Sequence, residues 1–132
     1  MVNEKRKQEM QDKYLKVELL NRVYEQLCNQ IDFINIRTQE IHTLKGSLDK
    51  LENTESYSQL GSGIFVVSKI TDKNNFLVNV GRKLYVKMSR DELEKFLDRR
   101  LSDLQTSLSK LVERKKELEI VLQKKISELQ SF

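Results

Sequence analysis

Residues 97–132 read LDRRLSDLQTSLSKLVERKKELEIVLQKKISELQSF. Leu97, Leu101, Leu104, Leu108, Leu111, Leu118, Leu122, Leu129 and Phe132 follow one another there, with Lys115 and Lys125 filling the two gaps. The steps alternate between four and three residues without a fault. An apolar position every 3.5 residues keeps one stripe of a helix turned toward a partner, and about five such heptads define a coiled-coil seam.

A second seam lies toward the other end of the chain. Val17, Leu20, Tyr24, Leu27, Ile31, Ile34, Thr38 and Ile41 repeat the same alternation. Taking Leu44, Leu48 and Leu51 as its continuation puts two steps of three in a row, a stammer that would overwind the coil. Gly46 adds about 1 kcal/mol of helix cost at the same place. The periodicity predicts a first helix from about residue 5 to about residue 53.

Residues 54–88 interrupt both seams and hold three of the four glycines. Ile64-Phe65-Val66-Val67 opens a strand, and Thr71-Asp72-Lys73-Asn74-Asn75 is a polar turn. Phe76, Val78 and Val80 alternate on one face of the next strand. Gly81-Arg82-Lys83 turns the chain into Leu84-Tyr85-Val86-Lys87-Met88, and a short strand near Tyr57–Leu60 completes two hairpins. Ser89 and Glu92 then form a capping box, with Met88 and Leu93 as its hydrophobic staple, so a second helix starts at Ser89.

The chain is therefore expected to be one unit over 1–132, of α+β class but mostly α. Coiled-coil helix 1 (1–53) and coiled-coil helix 2 (89–132) form a long antiparallel hairpin, with a β assembly segment (54–88) between them. Four strands make a poor isolated core with open edges. Assembly through Ile64, Phe65, Val67, Phe76, Val78, Val80, Gly81, Tyr85 and Val86 is the expected remedy. An antiparallel pair also brings Met10, Tyr14 and Val17 near Ile126, Leu129 and Phe132. These side chains either continue the seam or present apolar surface to other proteins. Continuing the seam suits Val17 and Leu129 better, and presenting surface suits Met10, Tyr14 and Phe132 better.

Composition narrows the function classes. Charged residues make up 33% of 132, proline and tryptophan are absent, and the net charge is +4 with both signs interspersed. Lys5-Arg6-Lys7 is flanked by Glu4 and Glu9, which reads as a solvated face rather than a nucleic-acid site. The single cysteine, Cys28, permits no intrachain disulfide and suits a reducing compartment. No apolar run approaches a membrane span and no signal-peptide core is present, which points to a cytoplasmic protein. His42 stands alone without a metal-ligand cluster, and Gly61-Ser62-Gly63 is too short for a phosphate loop. Neither an enzyme nor a metal or cofactor site is expected.

The central segment carries a resemblance. Leu60-Gly-Ser-Gly-Ile-Phe-Val-Val-Ser-Lys-Ile, Asp72-Lys-Asn-Asn-Phe-Leu-Val-Asn-Val-Gly and Leu84-Tyr-Val-Lys-Met-Ser-Arg-Asp-Glu-Leu, set between two coiled-coil helices, resemble α-class subunits of prefoldin (the archaeal alpha and eukaryotic subunit 5-like type). The chain departs from that pattern at Arg82-Lys83, where a small residue or Thr-Gly is common. It departs again at Lys87, where an acidic residue is common, and at Gln59-Leu60, where proline often stands. The resemblance implies an ATP-independent co-chaperone without a cofactor. Two α-class and four β-class subunits would join through an oligomeric β-barrel as a heterohexamer. Their coiled-coil tips would capture unfolded chains, actin and tubulin in eukaryotes, and deliver them to the cytosolic group II chaperonin. A structural or scaffold subunit of another prefoldin-like complex is the alternative.

Overall fold

Two helices dominate because long stretches of the chain lack proline and repeat apolar residues at 3.5-residue spacing. In the computed structural model, which describes residues 2–52 and 55–131, α1 spans Val2–Leu48 and α2 spans Arg90–Gln130. Between them lie β1 (Glu55–Gly61), β2 (Ile64–Lys69), β3 (Asn75–Gly81) and β4 (Leu84–Ser89). The strands pair as two separate antiparallel hairpins, β1 with β2 and β3 with β4. The chain divides into two compact units, one of residues 1–38 with 103–132 and one of residues 39–102.

In the first unit the seam residues are covered as their spacing requires. Val17, Leu27, Ile34 and Leu122 are buried, and Leu104, Leu108, Leu111, Leu118 and Leu129 are half-buried. Leu129 lines one groove with Met10 and Tyr14, Tyr24 bonds Glu119, and Leu111 lines another groove with Ile34, so the two segments run antiparallel. The gap residue Lys115 is half-buried, and its ammonium stands 5.7 Å from the centre of the Tyr24 ring. Tyr24 Oη donates to Glu119 Oε1 at 2.9 Å. That hydrogen bond, joined by burial and the nearby negative charge, pushes the phenol up to about 12. Thr38, also in the seam, is satisfied locally by donating to the Ile34 carbonyl at 2.8 Å.

The second unit holds the densest packing. Leu48, Leu93 and Leu97 are 4–5% exposed and form one cluster, with Ile41, Leu51, Phe76, Val78, Met88 and Phe96 against it. The N-cap half of the expected box is realised at Ser89, whose Oγ accepts from the Glu92 N–H at 3.2 Å. Met88 and Leu93 both enter the cluster, as a staple should. The Arg90 N–H, an orphan donor of the first turn, is taken by the Asn74 carbonyl at 3.1 Å.

The stammer does not occur. Lys45, half-buried, occupies the seam between Ile41 and Leu48, restoring steps of four and three, while Leu44 is 45% exposed. Lysine succeeds there because its aliphatic stem lies along the seam while its ammonium reaches out to Asp98. Helix α1 also ends at Leu48, earlier than its pattern suggests. Lys50 and Leu51 N–H groups close back on the Ser47 and Leu48 carbonyls, tightening the last turn, and Leu51 packs on the cluster from outside the helix. Asp49 and Glu94 share the Arg90 guanidinium.

Both hairpins use one turn design. Gly61 and Gly81 take φ values of 134° and 127°, followed by Ser62-Gly63 and Arg82-Lys83, all four at positive φ. Registers shift by one residue before each turn, between Gln59 and Gly61 and between Asn79 and Gly81. Two consecutive positive-φ residues give the twist that antiparallel strands need. Asp72 holds the connection between hairpins by accepting from Asn74 N–H and Asn75 Nδ2. The Asn74 backbone bond, then the Asn75 side chain, holds its carboxyl below the usual range.

Two outcomes test this packing. Leu97→Ala should destabilise the protein by about 2–4 kcal/mol in chemical denaturation, whereas Leu44→Ala should change it by about 0.5 kcal/mol or less. Equal losses at the two sites would restore the stammered register. Tyr24 should ionise well after ordinary tyrosines, near pH 12, and earlier in Glu119→Gln. Because the folded value is raised, the contribution of this contact is present below about pH 10 and fades between about 10 and 12. Ultraviolet titration of tyrosinate in both proteins reads the difference.

Candidate functional site

Apolar side chains left uncovered are the distinctive chemistry of the described residues. Among the described residues no group of three or more His, Cys, Asp or Glu could hold a metal, and no helix is long and apolar enough to cross a membrane. The free thiol of Cys28 is half-buried one turn beyond Tyr24. Two apolar surfaces stand out, one in each unit.

The first is at the start of α1. Met10, Tyr14 and Leu15 are 50%, 65% and 55% exposed, and with Leu129 they line an open groove of about 560 Å³ edged by Lys7, Gln11 and Asp12. Of the residues expected near the tips, Met10, Tyr14 and Leu129 are thus brought together. Ile126 is 40% exposed and lies outside the groove lining. Val17 is 8% exposed and belongs to the packed seam, leaving little of it for a partner. Phe132 lies outside the described residues.

Leu15 was not anticipated. Its signal was nonetheless present: Leu15, Leu19 and Val23 repeat at four-residue spacing off the seam, and all three are exposed. Phe33 and Ile36 continue such off-seam exposure at 60% and 58%, and Phe33 lines a smaller groove with Asn29, Gln30, Ile34 and Leu111. Arg37 lies over the Phe33 ring at 5.5 Å.

The second surface is the β segment. Alternation along β3 sends Phe76, Val78 and Val80 to one half-buried face, and Phe76 and Val78 spend that face on the helical cluster of their own chain. Arg100 reinforces this seat by lying over Phe96 at 4.6 Å and donating to the Asn79 carbonyl at 3.5 Å. Leu77 and Tyr85 point away, 65% and 55% exposed, and Val86 is 40% exposed.

The β1–β2 hairpin has no comparable seat. Every residue of β1 is exposed, and in β2 only Ser68 is half-buried. One face pairs Tyr57 with Val67 and Gln59 with Phe65; the other pairs Ser56 with Ser68 and Ser58 with Val66. Serines 56, 58 and 68 stand where the second hairpin has Phe76, Val78 and Met88, so this face cannot build an equivalent cluster. Ile64, Phe65 and Val67 remain 56–59% exposed, and Gly81 supplies the turn of the second hairpin.

This architecture has known relatives. A family model described as prefoldin subunit matches residues 16–131. The prefoldin subunit alpha of Pyrococcus horikoshii is 32% identical over 89 residues, 64% of this chain and 60% of that protein. That of Methanobrevibacter smithii is 28% identical over 72% of this chain and 71% of its own length. The match therefore spans about three fifths of the Pyrococcus protein's length. In fold, the chain is similar to a filamentous PFD from Methanocaldococcus jannaschii solved by cryo-EM, with a TM-score of 0.58, 23% identity, and coverage of 89% of this chain and 95% of that one. With two long helices around two hairpins and a family match over most of its length, the chain belongs to the prefoldin family.

Proposed function

We propose that this chain is an α-class subunit of a hetero-oligomeric, ATP-independent co-chaperone. It joins β-class subunits and a second α-class subunit as a heterohexamer in the cytoplasm. It holds unfolded polypeptides at the α1 groove and passes them to a group II chaperonin.

One observation carries the reading: the open groove of Met10, Tyr14, Leu15 and Leu129 lies in a different unit from the β hairpins. Assembly and capture then use separate surfaces, and neither needs nucleotide chemistry. Unbranched, polarizable methionine and amphipathic tyrosine suit an apolar surface that must accept many sequences weakly. The exposed Tyr57, Phe65 and Val67 suit a fixed interface, since an isolated two-stranded hairpin is marginal in water.

The test is aggregation of a chemically denatured model protein, followed by light scattering with this chain, a β-class prefoldin subunit and no nucleotide. The wild-type mixture should suppress scattering. Met10→Ser/Tyr14→Ser/Leu15→Ser should assemble to the same native mass, because substitutions at exposed positions change stability by about 0.5 kcal/mol or less each, yet lose most of the protection. A triple variant that protects as well as wild type would move the capture site elsewhere. A complex that assembles and never protects would leave a scaffold subunit as the reading.

A further inference from the structure

The two hairpins share a turn design but differ in charge. Hairpin β1–β2 carries Glu55 and Lys69, which sit directly opposite each other in the register, so it is neutral and its charges face one another. Hairpin β3–β4 carries Arg82, Lys83 and Lys87 and no carboxylate between Asn75 and Ser89, a net charge of +3. Asp72, the nearest acid before it, is engaged by Asn74 and Asn75.

Where these cations stand decides their use. Phe76 and Val78 pack toward the helices, so the alternate residues Leu77 and Asn79 face outward with their cross-strand partners Lys87 and Tyr85. This outer face thus combines exposed Leu77 and Tyr85 with Lys87, and Arg82 and Lys83 form the turn beyond it. Leu77 at 65% exposure and Tyr85 at 55% lie beside Lys87, joining apolar surface and positive charge on one face. A second copy docked on the same face would oppose cation to cation, which is destabilising across strands.

We infer that the outer face of hairpin β3–β4 is a charge-selective docking surface for a β segment of a different, carboxylate-bearing prefoldin subunit, and that it rejects a second copy of this chain. The inference rests on the assembly reading above and adds the chemistry of the partner. Neutral hairpin β1–β2, with Tyr57, Phe65 and Val67 exposed, carries no such bar against self-pairing.

The experiment compares wild type with Arg82→Glu/Lys83→Glu/Lys87→Glu, and with Lys16→Glu/Lys110→Glu/Lys124→Glu as a charge-matched control on the helices. Each is measured alone and with a β-class prefoldin subunit, by native mass spectrometry and by titration at two salt concentrations. Hairpin reversal should weaken hetero-association by at least about tenfold and invert its salt dependence, so that added salt strengthens rather than weakens the remaining binding, with the helix control and the thermal melt unchanged. Wild type mixed with the hairpin variant should form a mixed pair that neither forms alone through this face. Hetero-association indifferent to the reversal would overturn the inference while leaving the assembly reading intact. Failure of wild type to bind any β-class subunit, with the mixed pair still forming, would overturn the assembly reading and keep the charge selection. Absence of both pairings would sink the two together.

Discussion

A helix pressed against one other helix can cover only a single stripe of itself, and this geometric limit governs everything else in the chain. Among the described residues the buried apolar side chains are Val17, Leu27, Ile34, Leu48, Leu93, Leu97 and Leu122, and none is below 2% exposure. A domain of ordinary thickness would surround such leucines on all sides. Here each is backed by one neighbouring helix, or by a helix and a hairpin where Phe76 and Val78 add a third wall to Leu48, Leu93 and Leu97. Burial stabilises in proportion to apolar area removed from water, at about 25 cal/mol per Å². So the three-walled cluster is where cohesion concentrates, and the cap, the staple and the α1 terminus all converge on it.

A stripe-only core also leaves register weakly specified, since leucines at equal spacing slide past one another at little cost. Polar residues within the seam remedy this. Lys45 reaches Asp98, Lys115 lies over Tyr24, and Tyr24 bonds Glu119. Each contact forms in one alignment of the helices, and sliding by a heptad would strand the phenol and both ammonium groups. As exposed pairs they add little stability. Their contribution is discrimination between alignments, the use for which polar seam residues are best attested.

Much of this was legible in the residues alone. The seams, the Ser89 start of α2 and both glycine turns follow from local rules that no tertiary contact overrode. The reading failed where hydrophobicity was preferred to period: Leu44 looked like core and Lys45 did not, yet the uninterrupted 3.5-residue spacing selects Lys45. It was incomplete at Leu15, because a seam search discards apolar residues off the stripe, and those are the ones left exposed. The unlike fates of the two hairpins were also hard to see. Both alternate, but only the second carries side chains large enough at Phe76, Val78 and Met88 to fill the space above the helices, and serine at 56, 58 and 68 leaves the first unseated. That distinction depends on volume at particular positions, which a binary apolar pattern does not contain.

The uncovered residues differ in kind between the two units, and the difference has a physical sense. The hairpins expose Ile64, Val66, Val67 and Val86 beside Phe65 and Tyr85, side chains with few rotamers that lose little entropy when fixed against a matching surface. Such surfaces favour one partner in one geometry. The α1 groove instead exposes Met10, Tyr14 and Leu15 among Lys7, Gln11 and Asp12. Methionine there retains three rotatable bonds, and ordering it for any single partner costs more entropy. The same cost that makes the groove a poor permanent interface makes it tolerant of many shapes. On the co-chaperone reading proposed above, that division would let one chain hold its partners firmly and other polypeptides loosely.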